Sequence, residues 1–295
     1  MTELLQSVVG GITIGAVYAL VGMGFVVIYV ATKSLNFALG QVMMISALLG
    51  LFLHVSMGVP YALTFAIVVV AGGCIGLVIE QITYRPLRNA PATTIILATA
   101  ACGTIIQSIV QIWDGQLLAY FPAAVSATPI KVHLGIALLF IAPSQIFIVG
   151  VLIFIAALLW FLIQGTKFGL ATRAVAENRQ AASLMGINTT AISVLAWVLG
   201  GVFAGLAGLL VAPLVLVTPS MGMLANMAFV GAVLGGFESV AAAAAGGVVL
   251  GIVETLLGTY AVGSQYADVV VFGLFVAVLL FRPTGLFVRS RAVRV

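Results

Sequence analysis

Charge is what this sequence has least of. Eleven Lys and Arg and seven Asp and Glu make up 6% of 295 residues, while 63% are hydrophobic. Soluble domains carry about a quarter of their residues charged, so water is excluded as the main solvent. Histidine is as scarce: His54 and His133 fall in connections between apolar runs, so no string of acids and histidines threads the spans and a proton relay is disfavoured. There is no G-x-x-x-x-G-K-[ST] loop, so the chain lacks the usual cradle for hydrolysing ATP, and no catalytic, cofactor or metal site is expected. Nor is a nucleic-acid partner. Cys74 and Cys102, the two cysteines, sit far apart in separate apolar runs and read as small packing residues. The start, MTELLQSVVGG, has no basic n-region and leads into a long apolar run, so it reads as a first span and not a leader.

What is there is a series of apolar runs long enough to cross a hydrocarbon core of roughly 30 Å. They predict an all-α polytopic transmembrane bundle of eight or nine spans, near 8–31, 38–56, 61–83, 93–113, 144–164, 190–212, 224–238, 240–260 and 266–282. The seventh is short. With nine crossings, Lys33, Arg85, Arg88, Lys167, Arg173, Arg179, Arg282, Arg289, Arg291 and Arg294 share one side and only Lys131 lies opposite. Cytoplasmic loops carry the excess of positive charge, which puts the N-terminus outside and the C-terminus in the cytoplasm. The stretch from Asp114 to Ala142 is then a long outer connection, expected to hold a half-buried helix.

Glycine costs a helix about 1 kcal/mol against alanine in water, yet 33 glycines stand in a chain read as mostly helical. In lipid they let backbones meet, and Gly11/Gly15, Gly72/Gly76, Gly201/Gly205, Gly231/Gly235 and Gly247/Gly251 have the small-xxx-small spacing. The doublets Gly200-Gly201 and Gly235-Gly236 read either as packing or as helix breaks around a cavity. Polar groups inside the spans are costly unless paired or wet. Asn36, Gln41, Gln107 and Asn226 offer uncharged amides and are the candidate substrate pathway; each reads equally as an interhelical hydrogen bond. Glu254 is the remaining intramembrane acid considered, a thin basis for a coupling-ion site.

The segment 166–188 gathers four charges within thirteen residues. Wound as one helix, it places Leu170, Ala174, Ala181, Leu184 and Met185 on one face, and Thr172, Arg179, Gln180 and Ser183 on the other. Glu177 falls in the apolar face, one turn after Arg173, with which it can pair. Gly186 is expected to end the helix and Thr189 or Thr190 to cap the next span. Such a helix rests on lipid headgroups or docks on a protein; a central glutamate favours the groove of a protein.

These residues, RAVAENRQAASLMGI at 173–187, together with LNFALGQVMM at 35–44, IEQITYRPLR at 79–88, AGLAGLL at 204–210, FVGAVLGGFES at 229–239 and LLFRPTGLF at 279–287, run in the order found in one family. The chain resembles the permease subunits of ABC importers for branched-chain amino acids, the LivH type. The resemblance implies a single transmembrane permease domain over 1–295 in a bacterial cytoplasmic (inner) membrane. Within it, 166–188 would be the cytoplasmic coupling loop that passes ATPase closure to the helices, through Arg173, Glu177, Asn178, Ala182 and Gly186. Implied partners are a second permease (LivM type) or a second copy, two cytoplasmic ABC ATPase subunits, an extracytoplasmic substrate-binding protein and the lipid bilayer. Two departures stand out: Ala176-Glu177-Asn178 replaces the contiguous Glu-Ala-Ala, and Leu39-Gly40-Gln41 follows Asn-Phe-Ala. The latter leaves urea, amides or aromatic acids as alternative cargoes. On the residues alone, a facilitative channel, a secondary carrier and a scaffold stay open.

Overall fold

The computed structural model describes residues 2–114, 119–122, 128–134, 137–237, 239–261, 263–282 and 285–287. The long helices are α1 (Thr2–Thr32), α2 (Leu39–Leu51), α3 (Tyr61–Ile79), α4 (Ala92–Asp114), α5 (Pro143–Gly165), α8 (Thr189–Val211), α9 (Leu224–Gly235), α10 (Val240–Tyr260) and α11 (Ser264–Phe281). Two short helices, α6 (Lys167–Glu177) and α7 (Arg179–Leu184), stand between α5 and α8. A π-helical turn, Phe52–Ser56, prolongs α2, and another, Glu80–Tyr84, carries α3 on to Arg85–Leu87. Among the described residues seven helices are long and apolar enough to cross a membrane, and two shorter apolar helices, Met221–Gly235 and Tyr266–Phe281, accompany them. The chain is an all-α, multi-pass membrane protein. Arg289, Arg291 and Arg294, like Glu238, Pro283 and Thr284 of the quoted motifs, lie outside the described residues.

α1 is the axis of the bundle, touching α5, α8, α9 and α10. All five small-xxx-small pairs fall at helix crossings. A methyl group on Gly15 would sit 2.7 Å from Val248 Cα, and one on Gly247 would sit 2.7 Å from Ala19 Cα, so α1 and α10 meet backbone to backbone. Gly72 and Gly76 of α3 meet Gly201 and Gly205 of α8 in the same way, and Gly231 of α9 lies against Gly247 of α10. Without a hydrophobic drive between helices in lipid, close contact of this kind is what holds the bundle. The doublets divide: Gly200-Gly201 lies inside an unbroken α8, whereas Gly236, at φ 123°, ends α9. That backbone angle is open to glycine and strained for other residues.

Two connections run through protein instead of over it. Between α1 and α2, Ser34, Asn36 and Ala38 are buried, and Phe37 packs edge-on to Phe25, two turns back in α1. Between α8 and α9, Val217 and Met221 are buried, and Gly222 presses on Gly40 at the start of α2. Irregular backbone at membrane depth is tolerated where protein covers it. In its described part, the connection after α4 is a two-stranded antiparallel hairpin, β1 (Ile130–Leu134) with β2 (Ala137–Ile141), and not the expected helix. The Gln6 amide clamps it to the start of α1, donating to Phe140 O at 2.7 Å and accepting from Phe140 N at 3.2 Å. His133 belongs to β1. His54 sits in the π-helical end of α2, with Nδ1 2.8 Å from Val59 O, and not in a loop.

Candidate functional site

The stretch expected as one helix is two. Thr166 caps α6 by accepting from Gly169 N at 3.3 Å. Asn178 then takes an extended backbone (φ −152°, ψ 105°), and its Oδ1 accepts from Gln180 N and Ala181 N, both at 3.0 Å. A side chain that satisfies two orphan amides starts a new helix more cheaply than it continues the old one. Gly186, at φ 82°, ends α7 as expected, and Ile187 N returns to Ala182 O at 3.1 Å. Asn188, not Thr189 or Thr190, caps α8.

The break turns the pair into a bracket. Thr172, Val175 and Ala182 are buried against the bundle. Leu184 and Met185 are 89% and 84% exposed, Leu170 is 65% exposed, and Glu177 and Asn178 lie open among them. Arg173 does not pair with Glu177: its Nε donates to Gly169 O and one terminal nitrogen to Gln164 Oε1, both at 3.4 Å. Arg179, placed by spacing on a polar face, is an anchor. It donates to the hydroxyl of buried Tyr84 at 2.7 Å and to Ser193 Oγ at 3.5 Å, and the Tyr84 ring lies 5.4 Å from that of Trp197. The π-helical turn at the end of α3 carries Tyr84. One cation thus ties α7 to both α3 and α8.

The amides separate as well. Gln41 Nε2 donates to Gln107 Oε1 at 3.3 Å, joining α2 to α4. A methyl group on Gly222 would lie 2.8 Å from Gln41 Oε1, so glycine makes room for that amide. Asn36 is fully buried and accepts from Ala38 N at 3.0 Å, which shapes the entry into α2. Among the described residues, Asn36 Nδ2 and Gln41 Oε1 are buried with no partner. An unmet buried donor or acceptor costs about 1–3 kcal/mol, and Ser46, Glu80, Trp197 and Glu254 carry such atoms too. Beyond Gln107, α2 and α4 diverge around an apolar cavity of about 660 Å³ lined by Ile45, Leu48, Leu49, Ile106, Ile109 and Val110. Asn226 stands apart: it is exposed on α9. Glu254 accepts from the Tyr18 hydroxyl at 3.2 Å, a tie between α10 and α1.

The described basic residues other than Lys131 collect at one end. Arg179 reaches Tyr84 beside Arg85; Arg173 shares a cavity with Val30, three residues before Lys33; and Leu286, just past Arg282, bonds back to Leu234 at the close of α9. Lys131, on the hairpin held by Gln6, is at the other end.

The model of the family described as branched-chain amino acid transport system / permease component matches residues 7–279. The chain is 32% identical over 303 residues to the high-affinity branched-chain amino acid transport system permease protein LivH of Escherichia coli K12, covering 99% of this chain and 97% of that one. It is 33% identical to the corresponding permease protein BraD of Pseudomonas aeruginosa (99% and 98% covered). It is 27% identical to a probable branched-chain amino acid transport permease protein LivH of Methanocaldococcus jannaschii (94% and 90%). No solved structure matches. A chain matched from end to end in this way belongs to the family of branched-chain amino acid transport permease components.

Proposed function

We propose that the chain is the transmembrane permease subunit of an ATP-driven ABC importer that brings branched-chain amino acids into the cytoplasm. The observation that carries this reading is the bracket of α6 and α7, which leaves Leu170, Glu177, Leu184 and Met185 exposed at the cationic end of the molecule. Apolar side chains held in the open on a rigid mount gain about 2 kcal/mol each when a partner covers them. The partner is an ABC ATPase: α7 rides on it through Glu177, Asn178 and Gly186, with Arg173 at the edge and buried Ala182 as the seat. Arg179 carries the movement to α3 and α8.

The cationic end faces the cytoplasm of a bacterial inner membrane, following the positive-inside rule, so the start of α1 and the hairpin face outward. The short helices α9 and α11 complete nine passes, within a single permease domain whose coupling loop is 166–188. A second permease, LivM type or a second copy, covers the open face of α2 and α4; a soluble binding protein delivers the amino acid outside. The apolar side chain of the cargo slides along the α2/α4 cavity while its charged ends meet Gln41, Gln107 and Asn36. Asn226, on the exposed side of α9, contributes at the entrance between subunits.

The test is uptake of labelled leucine by cells expressing the chain with its partners. Wild type should import leucine, with unlabelled isoleucine and valine competing and urea and phenylalanine not. Gln41→Leu and Gln107→Leu should each lower uptake about tenfold, as expected for loss of one or two polar contacts worth about 1.5 kcal/mol in all. Uptake that both variants leave unchanged would assign the two amides to packing alone. Competition by urea or phenylalanine, with none by valine, would replace the cargo.

A further inference from the structure

A cavity of about 420 Å³ opens between the cationic ends of α1, α5 and α10 and the first turns of α6. Its walls are apolar, with Val27, Leu159, Ile163, Phe168 and Val240 facing inward from four helices. Its mouth is not. Exposed Arg173 and Gln164 line it there, with Thr172 and Ser239 as polar groups deeper in, and Trp160, 65% exposed, lies one turn before Gln164, where indole rings settle at the edge of a bilayer. The Thr172 hydroxyl is already committed to Phe168 O at 2.8 Å. The Arg173 guanidinium is exposed and uses two of its five N–H groups, both in long bonds of 3.4 Å, and among the described residues its other donors and its charge have no partner. Lys167, at the first position of α6, and Lys33, just past the end of α1, are exposed nearby in the chain. Among the described residues no acid lines this cavity; Glu238, next to Ser239 of its lining, lies outside them.

An apolar slot between membrane helices with a free guanidinium at its mouth matches one abundant molecule, a lipid with an anionic head. We propose that this cavity is a binding site for an acidic phospholipid of the surrounding bilayer, its acyl chain between α1, α5 and α10 and its phosphate on Arg173. The lipid fills the space under α6 and braces the bracket against the bundle. Arg173, at the edge of the ATPase contact, thereby faces the membrane, which accounts for its turning away from Glu177. The site is independent of the cargo, so its failure and that of the transport reading are separate outcomes.

The full chain, purified in mild detergent, is examined by native mass spectrometry with phosphatidylglycerol, phosphatidylcholine or inorganic phosphate added. Phosphatidylglycerol should be retained, and the other two should not. Arg173→Ala should weaken its retention about fivefold, the worth of one cation beside an anionic lipid, while Arg173→Lys should keep most of it. Ala244→Phe, which fills the slot from α10, should abolish retention without removing the charge. Equal retention of phosphatidylcholine would overturn the proposal, as would unchanged binding in both Arg173→Ala and Ala244→Phe. Displacement of the lipid by inorganic phosphate would identify a plain anion site and overturn it also.

Discussion

α1 and α5 would be ranked in the wrong order by hydropathy. α5 is the more apolar, with a mean hydropathy of 3.2 against 2.2, yet 17% of its most apolar stretch is buried against 83% for α1. The difference is the solvent. A helix facing lipid needs bulky apolar side chains, and α5 offers Phe154, Trp160 and Phe161 outward. A helix inside the bundle needs small ones, and α1 meets its neighbours through Gly11, Gly15, Gly22 and Gly24. Hydropathy alone does not rank burial here, since α4 at 1.8 is as open as α5 and α8 at 2.3 is 72% buried; close glycine spacing marks contact with protein.

The comparison breaks most visibly at glycine. Gly15→Leu drives a side chain into the α10 backbone and should cost about 3 kcal/mol, leaving little monodisperse protein on size exclusion after mild heating. Gly150→Leu, on α5 with nothing within 4 Å of the added Cβ, should stay within about 0.5 kcal/mol of wild type. Equal damage from both would mean that α5 packs as tightly as α1. The next effect comes from the joint between bundle and bracket. Arg179→Ala strips the buried Tyr84 hydroxyl of its partner and should lower stability by about 1–3 kcal/mol, read as a lower melting temperature. The smallest is Asn178→Ala, which removes the α7 cap at about 1 kcal/mol and should loosen the bracket, seen as faster amide exchange at Gln180 and Ala181 while α8 stays protected. Unchanged exchange there would assign the break to packing alone.

How much of this was legible in the sequence follows from the range of each interaction. The glycine pairs were, because spacing along one helix already says that the helix is approached closely. The turn at Gly186 was too, since a left-handed residue after a charged helix is a local matter. Asn178 was not: in a charged stretch one asparagine reads equally as polar face or as cap, and its backbone angles decide. The Gln41–Gln107 pair spans 66 residues, and no local pattern reports it. Asn226 has the same residue type as Asn36 and the opposite surroundings, exposed where the other is sealed. The Arg179–Tyr84 bond spans 95 residues and is hidden in the same way as the Gln41–Gln107 pair, with Tyr84 at the end of a π-helical turn that spacing does not reveal. Five-residue strands such as Ile130–Leu134 are too short to stand out among long apolar runs.

The central claim is that the exposed tip of the bracket receives an ATPase. The most direct test is recovery of that ATPase with the chain from its native membrane in mild detergent, wild type beside Leu184→Asp/Met185→Asp. Both side chains are more than four-fifths exposed, so the substitutions leave the fold intact. The account predicts an ATP-hydrolysing partner with wild type and its loss with the double variant, at unchanged yield of the chain. Equal recovery with both would contradict it, and so would no ATPase with either while other membrane complexes survive.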